Sequence, residues 1–89
     1  MKYPFVENIV NERGNAVRNQ FIIQSEEGLT FQSYHTTVAH ISTHKHVLID
    51  TTADMTQTTK RYLKIFLNET YKETLEKINK GEYTVARLN

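Results

Sequence analysis

A chain of 89 residues with a formal net charge of +1 and no cysteine has room for a single domain with one modest core, predicted here as residues 1–89. The near-neutral charge argues against a strongly basic nucleic-acid binder, and the missing cysteines exclude disulfides and thiolate metal sites. No apolar run approaches the roughly 20 residues of a membrane span, and the first residues lack the apolar segment of a signal peptide. These properties predict a cytoplasmic protein without a membrane partner.

The first 15 residues are predicted to be an N-terminal arm or a short helix. Four apolar residues recur at intervals that suit one or two helical turns, namely Phe5, Val6, Ile9 and Val10. Pro4 is tolerated in the first turn of such a helix. Gly14 then predicts a turn within residues 11–15.

Residues 16–51 have the composition of four strands in an antiparallel meander. The segments 19–25 and 29–34 are rich in β-branched and aromatic residues, and Gly28 supplies a positive φ angle at the turn between them. A third strand is predicted at 37–43 and a fourth at 46–50. The fourth is apolar enough to lie inside the sheet.

The apolar period changes from two to 3.6 after Asp54, which predicts helices at 57–68 and 71–80. Thr56 or Asp54 suits the start of the first helix, and Thr70 with Glu73 has the spacing of a capping box. The predicted buried helical residues are Leu63, Phe66, Leu67, Tyr71, Leu75 and Ile78. Residues 82–88 are predicted to form a final strand that rejoins the sheet. The predicted fold class is therefore α+β, with an antiparallel β-meander, two helices and a final strand in two layers.

Several short blocks of the chain occur in order and spacing in a known family. They are Asn19 to Ile23, Phe31 to Tyr34, Val38-Ala39, Thr58 to Leu63, Phe66-Leu67, Gly81 to Tyr83, Ala86 and Leu88-Asn89. On these blocks the chain resembles an uncharacterised family of small bacteriophage and mobile-element proteins with an FQSY-type strand motif. The resemblance implies a phage-type gene product in the cytoplasm of a bacterial host, and it implies no activity. Family members often carry Trp-Asp-Tyr-Ser before the Thr-Thr pair, where this chain has Asp54-Met55-Thr56 and no tryptophan.

Five residues are predicted as binding residues. Lys60, Arg61 and Lys64 cluster on the first long helix with Tyr62 between them, and phosphate contact by these cations is physically plausible. The alternative is that they solvate the outer face of an amphipathic helix. Tyr34 and Tyr62 have the amphipathic character of contact residues at a protein interface, or of residues at the edge of the core.

No residue pattern indicates catalysis, a cofactor or a metal. The histidines at 35, 40, 44 and 46 match no established metal-ligand spacing, and their role is left open. The threonine clusters suit strands and helix starts, and no nucleophile–base pair stands out.

The predicted function is a small non-enzymatic accessory protein that binds another protein, of a host-takeover or anti-defence type. The alternative is a nucleic-acid-binding protein that uses the helix around Lys60 to Lys64. The identity of the partner and the presence of a homo-oligomer are left open by the sequence.

Overall fold

The computed structural model of the protein describes residues 5–51 and 56–89. Five strands come first: β1 (Phe5–Val10), β2 (Ala16–Ser25), β3 (Gly28–Ser33), β4 (Thr36–Ser42) and β5 (Val47–Asp50). Two helices follow, α1 (Gln57–Leu67) and α2 (Tyr71–Asn79). The last strand is β6 (Tyr83–Ala86).

All six strands form one sheet in which they lie in chain order. Neighbouring strands from β1 to β5 are antiparallel, whereas β6 runs parallel to β5. A parallel neighbour requires a crossover connection, which here contains the two helices. The predicted α+β class, with a meander, two helices and a final strand that rejoins the sheet, is confirmed.

The helix or arm predicted within residues 1–15 is wrong for Phe5–Val10, which form β1 and extend the meander to five strands. Asn8 is opposite Phe21 and Val10 is opposite Ala16 on β2. Six residues with four apolar side chains suit a helix turn and a strand equally well. Pairing with β2 decides between them, because it supplies backbone hydrogen bonds that an isolated turn lacks.

The core lies between the sheet and α1. Its buried apolar residues are Ile9, Phe31, Val38, Ala39, Val47, Ile49 and Leu63. Phe31 is completely buried, and its ring centroid lies 5.7 Å from that of Phe66. Phe66 itself is half-buried at the margin of this core.

Both helices begin as their sequences predict. The Thr56 hydroxyl accepts a hydrogen bond from the Thr59 N–H at the start of α1, and the capping box of Thr70 and Glu73 begins α2. Asp54, the alternative cap, lies outside the described residues.

The predicted buried position of Leu75 is wrong. Leu75 is 43 % exposed, while its neighbour Thr74 is 1 % exposed. The Thr74 hydroxyl donates a hydrogen bond to Glu69 Oε2 at 2.8 Å. Tyr71 and Ile78 pack against the core as predicted, so the inward face of α2 runs through Thr74 and leaves Leu75 exposed.

Candidate protein-binding surfaces

Strand β1 lies at an edge of the sheet, with β2 as its neighbour. Three of its apolar side chains are exposed, Phe5 at 54 %, Val6 at 60 % and Val10 at 53 %. Glu7 is the single charged residue of the strand. Alternate residues of an edge strand turn their backbone N–H and C=O groups away from the neighbouring strand, which leaves them available to an added strand.

The strand at the other edge of the sheet, β6, is shorter than β1 and packs against a helix. Strand β6 has four residues rather than six, and it contacts α2. A short edge strand offers few backbone groups for pairing, and proteins use such strands to limit edge-to-edge association. The two edges are therefore unequal, and β1 is the one suited to strand addition.

Tyr34 lies at the turn between β3 and β4 and is 57 % exposed. Its φ angle is 56°, and its N–H donates a hydrogen bond to the Asn19 carbonyl at 2.7 Å. Tyr34 borders a cleft of about 390 Å³, whose other lining residues are Ser33, Thr36, Val38, Thr56, Thr58 and Thr59. Tyr34 is therefore an exposed aromatic residue on a fixed turn, beside the N-terminus of α1.

The three cations predicted for binding do not point to one place. Lys60 Nζ lies 4.8 Å from the centroid of the Tyr71 ring, towards α2. Arg61 lines a different cleft, of about 470 Å³, together with Arg13 from the turn between β1 and β2. Lys64 is exposed.

Tyr62 is half-buried and packs against the core. It also borders the cleft that contains Arg13 and Arg61. Tyr34 lies on the other cleft, so the five predicted residues do not form one continuous surface.

The histidines include one with a defined structural contact. His40 Nδ1 lies 2.9 Å from the Thr30 hydroxyl, and His40 Nε2 lies 3.2 Å from the Glu27 carbonyl oxygen. A neutral ring with its proton on Nε2 satisfies both contacts, because it donates to the carbonyl and accepts from the hydroxyl. His40 and His44 both line a groove that also includes Glu27 and Thr30. Among residues 5–51 and 56–89, no three histidine or carboxylate side chains converge on a position for a metal.

A buried carboxylate dominates the electrostatics of the described residues. Glu69 Oε1 accepts hydrogen bonds from Lys77 Nζ and from the Tyr83 hydroxyl, each at 2.7 Å, and its side chain is 6 % exposed. Burial raises the pKa of Glu69, but the hydrogen bonds from Lys77, Tyr83 and Thr74 outweigh it and hold the pKa below its ordinary value of 4.5. The hydrogen bond to Glu69 raises the pKa of Lys77. These contacts connect the segment between the helices to α2 and β6.

The sequence analysis does not name β1 as a candidate surface. The available signal was an alternation in which Phe5, Glu7 and Ile9 fall on one face and Val6, Asn8 and Val10 on the other. In the fold, Ile9 is buried whereas Val6 and Val10 are exposed. Nothing in the sequence indicates that this strand lies at an edge.

Residues 5–84 match a protein family that is described as a family of unknown function, DUF8033. No curated protein and no solved structure matches the chain. The match runs from the start of β1 to the second residue of β6, and therefore includes the exposed edge strand and both helices. This match confirms the prediction that the chain belongs to an uncharacterised family. None of the helices in the described residues has the length and apolar composition needed to cross a membrane.

Proposed function

We propose that this chain, which belongs to the DUF8033 family, is a non-enzymatic protein-binding module that adds a strand of its partner to β1. The observation that carries the proposal is an edge strand of six residues with three exposed apolar side chains and one charge. An added strand would form backbone hydrogen bonds along β1, and pockets for alternate side chains would give selectivity.

The contacts of β1 make it a stable template for a partner. On one side it pairs with β2 from Phe5 to Asn8 and again at Val10, with a register irregularity between Asn8 and Val10, and Ile9 anchors it in the core at 1 % exposure. A strand fixed in this way loses little conformational freedom when a partner binds, which lowers the entropic cost of association. The exposed Val6 and Val10 side chains then supply apolar area for the partner to bury.

The biological setting that we propose is that of a phage-type accessory protein in the cytoplasm of a bacterial host, with a host or phage protein as partner. The support for this setting is the resemblance of residues 19–89 to small bacteriophage proteins. Interference with a host defence system and redirection of host metabolism both suit a small binding module. Genes of defined infection stage on either side of the coding sequence are the expected finding in its genomic neighbourhood.

The binding test compares two exposed apolar residues that are changed to the same cation. A photo-reactive amino acid in place of Val6 cross-links the polypeptide that occupies the edge in cells, and that polypeptide is then purified. Calorimetric titration with the wild-type chain, Val6→Lys and Leu75→Lys measures the affinity of each. A lysine on an edge strand opposes added strands, so we expect Val6→Lys to weaken binding at least about tenfold, or 1.4 kcal/mol.

Leu75→Lys is the matched control, because Leu75 is also exposed but lies on α2. Unchanged affinity is expected for this variant. Equal affinity of Val6→Lys and the wild-type chain would place the partner elsewhere and refute the edge proposal.

A second candidate function is nucleic-acid binding, and the cleft shared by Arg13 and Arg61 favours it. Lys64 lies one helical turn from Arg61 on α1 and extends the basic area. Against it, Glu12 lines the same cleft and Lys60 is directed to Tyr71. Three phosphate contacts would give a salt slope of only about −3 on duplex DNA.

We therefore expect weak binding to nucleic acid, sensitive to salt and without sequence specificity. A gel-shift assay at near-physiological salt is the measurement. Nanomolar binding that is lost when Lys60, Arg61 and Lys64 are changed to glutamate would promote this candidate above protein binding.

A further inference from the structure

We infer that the partner strand on β1 carries a carboxylate at the end beside Val10, and that Arg13 and Arg61 bind this carboxylate. The inference rests on the proposed function, because it concerns the strand that is added to β1. It goes further by stating the chemistry of the partner, which is an extended segment with apolar residues along β1 and an acidic group at one end.

The cleft of about 470 Å³ that Arg13 and Arg61 share lies where β1 ends. Asn11 directly follows Val10, the last residue of β1, and lines this cleft together with the rest of the turn to β2. The opposite wall comes from α1 and consists of Arg61, Tyr62 and Ile65. A partner strand that follows β1 to its end therefore brings its terminal residue to this cleft.

The two guanidinium groups of the cleft lack partners of their own. Among residues 5–51 and 56–89, neither Arg13 nor Arg61 forms an ion pair or a side-chain hydrogen bond. Glu12 lines the cleft without pairing to either arginine, so two positive side chains and one negative side chain leave a net charge of +1. The planar donor fork of arginine matches the two oxygens of a carboxylate. An acidic group of the partner would therefore satisfy donors that the fold leaves unused.

The walls of the cleft are fixed before a partner binds. The Asn11 side-chain oxygen accepts hydrogen bonds from the Arg13 N–H at 2.9 Å and from the Asn15 N–H at 3.0 Å. The Asn11 N–H also donates to the Asn15 carbonyl at 2.9 Å. On the other wall, Tyr62 and Ile65 are half-buried against the core. A preformed cleft lowers the entropic cost of binding.

Glu7 determines where along the partner strand the acidic group is favourable. It is exposed, and by strand alternation it shares with the buried Ile9 the sheet face that α1 covers. Glu7 precedes Asn11 by four residues, or about 13 Å of extended chain. A partner carboxylate beside Glu7 is repelled by a like charge, whereas one at the cleft is attracted. The acid should therefore lie at the end of the partner segment rather than in its middle.

The carboxylate has two possible sources that differ in strand direction. A strand parallel to β1 presents its own C-terminal carboxylate to the cleft, and an antiparallel strand presents an aspartate or glutamate side chain near its N-terminus. The sheet already contains both antiparallel and parallel neighbours. The chemistry at the arginines is the same in both cases, and the peptides used in the test distinguish them.

The test starts from random peptides about as long as β1, selected for binding to the full chain. One library has free C-termini and the other has amidated C-termini. We expect enriched sequences with apolar residues at alternate positions and a carboxylate at one end. Binders from the free library alone identify the C-terminal carboxylate as the source, and binders from both libraries identify an acidic side chain. No enriched sequence, or enriched sequences without a terminal acid, would overturn the inference.

Fluorescence anisotropy with an enriched peptide then measures the contribution of the arginines. The double variant Arg13→Gln/Arg61→Gln should weaken binding at least about tenfold and should remove most of its dependence on salt. Arg18→Gln is the matched control, because Arg18 is exposed on β2 and does not line the cleft. Its affinity should equal that of the wild-type chain, and thermal unfolding confirms that each variant is folded. A double variant that binds as tightly as the wild-type chain would overturn the inference.

Val6→Lys separates this inference from the proposed function. If Val6→Lys weakens peptide binding and the arginine variant does not, the proposed function stands and the carboxylate inference fails. If only the arginine variant weakens binding, the cleft binds acidic groups without strand addition, and both fail. Displacement of the peptide by an equimolar DNA duplex at near-physiological salt would assign the cleft to nucleic acid and would also overturn the inference.

Discussion

At the scale of single residues, the Glu69 carboxylate holds three segments together. It lies in the connector between the helices, and it accepts hydrogen bonds from Thr74 and Lys77 on α2 and from Tyr83 on β6. We expect Glu69→Gln to lower the free energy of unfolding at neutral pH by about 2 kcal/mol, because hydrogen bonds to a charged group contribute about 1.5–3 kcal/mol.

This loss should depend on pH. The pKa of Glu69 is lower in the folded state than its ordinary value of 4.5, so its stabilising contribution is present above that value and is lost as the pH falls through the folded-state pKa. Urea denaturation near pH 7 and at about pH 3 should therefore show a smaller difference between wild type and Glu69→Gln in acid. Glu76→Gln, an exposed change on α2, is the control. The prediction fails if the difference is the same at both pH values.

Gly28 is required by a close approach of two strands. Its φ angle is 132°, and a Cβ atom built on it would lie 2.0 Å from the Ile41 carbonyl oxygen of β4. Gly28→Ala should destabilise the protein by more than the 1–3 kcal/mol typical of local backbone strain, about 3 kcal/mol or more. Gly81 also has a positive φ, of 81°, but a Cβ atom added there would meet nothing within 4 Å.

Gly81→Ala is therefore the matched control for Gly28→Ala. This change should lower the free energy of unfolding only through the strain of a left-handed backbone conformation at alanine, by about 1–2 kcal/mol. Thermal unfolding of the two variants measures the difference. Equal losses would mean that the contact with Ile41 contributes nothing.

At the scale of elements, α1 presents the face that its apolar spacing predicts, whereas α2 departs from the prediction at Leu75. Leu63 on α1 is 1 % exposed, whereas Leu75 on α2 is 43 % exposed. Leu63→Ala should destabilise the protein by about 2–5 kcal/mol because it leaves a cavity in the core. Leu75→Ala should change stability by no more than about 0.5 kcal/mol. Chemical denaturation of this matched pair tests the rotation of α2, and comparable losses would show that the helix is turned inward at Leu75.

The second contrast between elements concerns the two sheet edges. Strand β1 presents exposed valines along six residues, and β6 presents four residues beside α2. This inequality explains why the proposed function uses β1 rather than β6.

At the scale of the whole molecule, side chains distant in sequence close the fold. The Asn89 side chain accepts a hydrogen bond from the Thr37 N–H at 2.8 Å and donates one to the Thr37 carbonyl at 2.9 Å. The Leu88 N–H donates to the Asp50 carboxylate. Residues 87–89 thereby connect β6 to the ends of β5 and β4.

We expect Asn89→Ala to lower the free energy of unfolding by about 1–3 kcal/mol, since it removes two hydrogen bonds of about 0.5–1.5 kcal/mol each. Hydrogen exchange should increase first at the Thr37 amide. Asn79→Ala at the exposed end of α2 is the control. Unaltered protection at Thr37 would show that another contact holds this segment.

The sequence by itself determined the order and type of most elements, because their signals are local. The capping residues Thr70 and Glu73 and the change of period after Asp54 specify the helices, and the turn at Gly28 specifies the first hairpin of the predicted meander. Strand alternation places Phe31 on one face of its strand with Leu29 and Ser33, and the assembled fold then buries it.

Only the tertiary structure decided that Phe5–Val10 form a strand, that this strand lies at an edge, and that Leu75 faces solvent. Each of these depends on a partner distant in sequence: β2 supplies hydrogen bonds to β1, and Glu69 anchors Thr74. The candidate site on β1 also depends on residues distant in sequence. A strand lies at an edge only because of which strands pair in the assembled sheet, and the six residues of β1 do not determine that pairing by themselves.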